Sequence, residues 1–151
     1  MRDKADPHWY RRGLMTMECS LLYVSRSTIE LSRRDEEIAA IVSSAHIYNP
    51  KAGITGGLVR TQDWFAQLLE GSSKAVEALM QRIERDPRHT DVRVLRVAAR
   101  QKRRLGQWSM AYAGEWHFIA QKIAPLLGPS LATDSGRIDR VEKLIVDFAS
   151  A

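Results

Sequence analysis

The chain has one cysteine, Cys19, so no disulfide can close within it, which agrees with a reducing compartment. Long hydrophobic runs are missing too. The most apolar stretches, residues 123–128 and the surroundings of Leu68 and Leu69, fall far short of the roughly 20 residues that a membrane-spanning helix needs. The N-terminus mixes charges from Arg2 to Arg12 and has no apolar core of a signal peptide, so the expected location is the cytoplasm. Histidine is sparse: His8, His46, His89 and His117 stand at no metal-ligand spacing, and Cys19 cannot complete a zinc set. The chain contains no G-x-S-x-G elbow, no phosphate loop ending in G-K-[ST], no G-x-G-x-x-G and no H-E-x-x-H, which removes the common hydrolase, nucleotide-fold and metalloprotease readings. An RNA-recognition module would need paired aromatics after a basic glycine, and these are absent as well.

What is present suits one domain with a short appendage: 151 residues, 44% hydrophobic and 27% charged. The net charge is +5, with clusters at Arg11 and Arg12, at Arg33 and Arg34, and at 102–104. Such an excess could draw nucleic acid or an acidic partner. Solvated arginines at element ends explain it more simply, so nucleic acid is not the expected partner.

Residues 1–18 show no period and read as a loose leader; Met15 or Met17 could be the true start. Leu21, Leu22, Tyr23 and Val24 then form a short β-prone run that fits a buried strand. Ser32 stands three residues before Asp35, an imperfect capping box, and Glu36 adds negative charge to a first turn. Ile38, Ile41, Val42 and Ala45 continue as one apolar helical stripe, which Asn49 and Pro50 should end. Leu58 to Thr61 and Trp64 to Leu69, separated by Gln62 and Asp63, predict a hairpin. Ser72 and Ser73 supply a cap for a second helix with a stripe of Val76, Leu79, Met80 and Ile83, closed at Asp86 and Pro87. Strands are expected over 92–99 and 108–112.

This order predicts an α+β, ferredoxin-like sandwich (βαββαββ) with two helices on one face of a mixed sheet. Two further helices follow. Trp116, Ile119, Ala120 and Ile123 mark one, and Ile138, Val141, Leu144, Ile145 and Phe148 the other. The expected organisation is therefore 1–18 leader, 19–114 domain and 115–151 helical extension.

Five separated motifs stand in order along the sandwich. They are Leu22-Tyr23-Val24-Ser25-Arg26; Asn49 with Gly53-Ile54-Thr55-Gly56; Phe65-Ala66-Gln67-Leu68-Leu69-Glu70-Gly71; Arg82-Ile83 with Asp86-Pro87-Arg88-His89; and Trp108-Ser109-Met110. Over about ninety residues the chain thereby resembles the BLUF family, which senses blue light with a flavin. The resemblance implies FAD held non-covalently between the two helices, against the sheet, with Ile41 and Ile83 on either side of the ring. By the same resemblance Tyr23 and Gln67 are the photoactive pair, with Trp108 and Met110 reporting the photocycle. Asn49, Arg82, Asp86 and His89 would reach the flavin edge, and Ser25 would help to place the network.

The chemistry is consistent with those roles. A tyrosine can give an electron and then a proton to an excited flavin. A glutamine amide is both donor and acceptor, so turning it over changes which bond reaches the ring. Plainer roles exist for most of these residues. Asn49 alone would be a helix terminus before proline, Arg82 and Asp86 would be an i, i+4 surface pair, and strand packing would account for Trp108 and Met110. The sequence departs from the family pattern at a loop around 28–31 that is longer by two residues, at Leu105 in place of a phenylalanine, and at a bulky Tyr48.

The expected function is thus a short photoreceptor without catalytic output of its own. It would signal through a separate downstream protein, or as a homodimer or higher oligomer, with the last two helices as docking elements. The alternative is a flavin-free interaction module that keeps the fold and meets protein or nucleic acid through its basic surface.

Overall fold

The structure, a computed structural model, describes residues 18–106 and 110–150. Five strands form one mixed sheet: β1 (Glu18–Ser27), β2 (Thr55–Arg60), β3 (Trp64–Ser72), β4 (His89–Ala99) and β5 (Ala111–Ala113), in the order β4-β1-β3-β2-β5. All neighbours are antiparallel except β2 and β5, which run parallel. Helices α1 (Arg34–Ala52) and α2 (Ser73–Arg85) belong to one face. Helices α3 (Phe118–Ile123) and α4 (Ser135–Ala149) belong to the other.

This is the expected ferredoxin-like sandwich with two added helices, and several boundaries move for physical reasons. β1 is ten residues long where four were apparent, because it has hydrogen-bonding neighbours on both sides, and these bury Ser20 and Ser25 along with its apolar residues. Ser32 caps nothing. It lies inside a 3-10 turn over Leu31–Arg33, and α1 starts only at Arg34. Pro50 does not end α1 either. The helix runs two residues further, to Gly53 at φ 69, whose N–H bonds back to Pro50 O at 3.2 Å while Ile54 N–H reaches Asn49 O at 2.8 Å. In the last turn a proline forgoes only one ladder bond, and the left-handed glycine makes the actual stop. Ser72 does cap α2, accepting from Ala75 N–H at 3.1 Å. The final strand is short, over Ala111–Ala113; Trp108 lies outside the described residues.

Register sets up the site. Tyr23 faces Gln67 across β1 and β3, and Gln67 faces Leu58 across β3 and β2, so three side chains share one row on the α1/α2 face. β4 carries two register shifts against β1, between Leu22 and Tyr23 and between Val24 and Arg26. They bend the strand beside the tyrosine.

The opposite face is sealed. Leu22, Val24, Ala66 and Leu68 of the sheet pack with Ile123, Val141 and Ile145 in one buried cluster. α4 lies so close that a Cβ on Gly57 would sit 2.9 Å from Ile145 Cγ2 and 3.2 Å from Ala149 Cβ. Of the third-helix marks, Trp116 lies before α3 and is 85% exposed. The stripe predicted for α4 is buried at Ile138, Val141 and Ile145 and half-buried at Leu144 and Phe148.

Candidate functional site

The α1/α2 face has no such seal. Of the stripe predicted on α1 only Ile38 is buried, and Ile41, Val42 and Ala45 stay half-exposed. Ile41 and Ala45 overlook a cleft between α1, α2 and the sheet that encloses about 680 Å³ of space, its solvent-open mouth included.

Tyr23, Gln67, Leu58 and Met110 line it from the sheet side. Ile41, Tyr48 and Asn49 line it from α1, and Leu79, Arg82 and Ile83 from α2. Asp86, Arg88 and His89 come from the segment after α2. Every described residue that the sequence nominated is here except Ser25, which stands behind His89, its Oγ 2.8 Å from Nδ1. Arg88, Leu58 and Leu79 were not nominated. Arg88 lay within a quoted motif and Leu79 within a stripe, so both carried a signal; Leu58 becomes visible only through strand register.

The floor is a run of hydrogen bonds. The Tyr23 phenol donates to Gln67 Oε1, and Gln67 Nε2 donates to Met110 Sδ at 3.4 Å. The register causes the first of these, since it places the two side chains directly opposite. Burial pushes the Tyr23 phenol far above its ordinary value, and the charge of Asp86 adds to this, so it remains a proton donor. Gln67 and Asn49 are both buried, at 4% and 1% exposure.

His89 is held below its ordinary 6.5, at about 4, chiefly by burial, so its imidazole is neutral at neutral pH. Its ring packs tilted against Phe65, the two centroids 4.7 Å apart. Arg82 and Asp86 do not pair as the spacing suggested. Asp86 ends α2 with an extended backbone and turns to Arg88, which bonds it at 2.6 and 2.9 Å, while the Arg82 guanidinium lies 4.0 Å over the Tyr48 ring. Burial pushes the Asp86 carboxyl up, but the bonds and charge of Arg88 outweigh it and hold it below the usual range. The long loop is fastened here too: Thr28 N–H and Oγ1 bond the carbonyls of Arg88 and Pro87 at 3.1 and 2.5 Å.

The residues fit a flavin. Half-exposed aliphatic walls at Ile41 and Ile83 suit a flat aromatic ring, two buried carboxamides can both donate and accept along its polar edge, and cations at the mouth suit phosphate.

A ferredoxin-like sheet with a polar-floored cleft under two helices defines a class of ligand-binding α+β domain. Within that class the assignment is specific. The model of the family described as "BLUF: Sensors of blue-light using FAD" matches residues 19–111, and the chain belongs to that family of flavin-based blue-light sensors. It is 39% identical over 97 residues to the photoactivated adenylate cyclase subunit beta of Euglena gracilis, a match covering 64% of this chain and 10% of that protein. The chain thus spans about a tenth of the length of the curated relatives it matches. Among solved structures it is similar to the BLUF protein BlrB in its dark state, at TM-score 0.72 and 27% identity, covering 88% of this chain and 98% of that one. It is also similar to Klebsiella pneumoniae BlrP1, solved with FMN and cyclic diGMP, at TM-score 0.59 and 34% identity over 65% of this chain and 26% of that one. No described helix is long and apolar enough to cross a membrane.

Proposed function

We propose that the cleft holds FAD and that light rearranges the hydrogen bonds running from Tyr23 through Gln67 to Met110, without catalysis by this chain. The observation that carries this is that run itself, buried at the floor of the cleft. Bound flavin supplies the absorption of blue light and, once excited, the pull on an electron. The protein does the rest. Tyr23 gives the electron and passes its phenolic proton along its hydrogen bond to Gln67 Oε1. The amide, free to reorganise, exchanges the side it shows to the ring, and electron and proton then return to Tyr23. Gln67 is left in a different bonding pattern, which Met110 feels because it was the acceptor of Nε2–H.

Ile41 and Ile83 would hold the ring, Asn49 its polar edge, and Arg82 and Arg88 a phosphate. Ser25 would keep His89 in place. The choice of FAD follows the family's description, while the similar BlrP1 was solved with FMN. The similar proteins contain much more chain than this domain, which supports a downstream protein as the recipient of the signal.

The test is an absorption spectrum of the purified chain in the dark and just after blue illumination, with the extracted chromophore identified by chromatography. A flavin band that moves slightly to the red and reverts thermally supports the reading. A bound flavin that does not shift, or no flavin after reconstitution, overturns it. Extracted FMN would overturn the choice of FAD alone.

A further inference from the structure

Glu70 stands on β3 three residues beyond Gln67, faces the other side of the sheet, and has no part in the cleft. It is 1% exposed. Its Oε1 accepts two backbone N–H groups, from Arg104 at 2.7 Å and from Leu105 at 2.8 Å. The Arg104 side chain forms an ion pair with Glu70, Nε 3.7 Å from Oε2, and its Nη2 donates to Glu142 Oε1 on α4 at 2.9 Å. Glu142 is itself 6% exposed and also receives Arg96 Nη1 at 2.6 Å. Leu105 is completely buried in the cluster beneath α4. Five residues after Leu105 comes Met110, which accepts from Gln67.

One strand therefore grips the same chain segment at two places, by Gln67 on the light-sensing face and by Glu70 on the α4 face. We infer that Glu70 is a positioning residue that anchors the 104–105 end of this segment, so that a change at Met110 is delivered through Arg104 and Glu142 to helix α4. A buried carboxylate holding two N–H groups makes a stiff anchor, because charge-assisted bonds of this kind are strong and leaving either partner unsatisfied in the interior is costly. Without the anchor, the backbone at Arg104 and Leu105 would be free to yield. The inference rests on the photoreceptor reading above and adds the route by which its signal leaves the cleft.

Amide hydrogen exchange on the full, flavin-loaded chain, in the dark and under blue light, tests it alongside the absorption spectrum. In the wild type, α4 peptides should exchange differently in light and dark. In Glu70→Ala the red shift should persist, the Arg104 and Leu105 amides should lose their dark protection, and the light response of α4 should vanish. Glu70→Gln keeps an oxygen that can accept both N–H groups and should restore that response; a residue that only stabilises the fold would not give this pattern. If Glu70→Ala does not fold, Arg104→Met keeps the backbone anchor but cuts the tie to Glu142, and should also silence α4. A wild type that shifts while α4 stays indifferent to light, or an α4 response that survives the folded variant, overturns the inference and leaves the photoreceptor reading standing. A wild type with no red shift overturns that reading instead.

Discussion

The two faces of the sheet are built from the same five strands but finished differently. Toward α3 and α4, aliphatic side chains meet aliphatic side chains, and α4 rests directly on Gly57. Toward α1 and α2, a tyrosine, a glutamine and a histidine are buried in one layer, and the helix stripe above them stays half-exposed. The first arrangement secures the fold. The second gives up packing so that a ring can complete it, and it puts its polar groups where they can respond.

The largest expected effect breaks the second face alone. Tyr23→Phe or Gln67→Leu should abolish the light-induced red shift while flavin remains bound and α4 stays packed; a difference spectrum of the lit and dark variants checks this, and a surviving shift would remove the roles assigned to both residues.

The converse cut is Ile145→Ala, which opens a cavity under α4. It should cost about 2–5 kcal/mol of stability in a urea titration, yet leave the size of the red shift unchanged.

A third change separates the faces by pH. The unfolded chain takes up a proton on His89 near 6.5, whereas the folded chain does so only near 4. Stability is therefore complete above pH 6.5 and falls as pH drops through that window, by up to about 3 kcal/mol. The depressed Asp86 acts in the same direction at lower pH, since its stabilising ionised form is lost as pH falls. Melting temperatures across this range check it, and His89→Ala should flatten the slope between pH 4 and 6.5.

The smallest effect is Ser72→Ala. Losing the cap on α2 should cost about 1 kcal/mol by thermal unfolding and loosen the element that carries Arg82 and Ile83, without changing the colour of the flavin.

Much of this was legible beforehand, and the reasons are specific. The apolar stripes of α2 and α4 declared themselves because burial demands a 3.6-residue period, and Ser72 capped its helix as serine before such a run should. Ser32 misled because a capping pattern does not reveal that a 3-10 turn will come first. Pro50 misled because proline is tolerated in a last turn whose end is set by Gly53. Local spacing put Arg82 beside Asp86, but the extended backbone at Asp86 turned it toward Arg88. The cleft residues from Tyr23 to Met110 were nominated by family resemblance, since their convergence depends on long-range register that periodicity does not carry. Glu70 was quoted within a motif, and its partners only became visible once the 104–105 backbone was seen to return to β3.

The bent β4 has a consequence beyond the cleft. Proteins with a straight, bare outer strand can be extended by another chain and grow into aggregates. Here one margin is kinked by two bulges and carries Arg93, Arg96 and Arg100, and the other is a three-residue stub, β5. Neither offers a template for an added strand. Where many copies crowd together, the sheet itself is guarded against sticking to its neighbours.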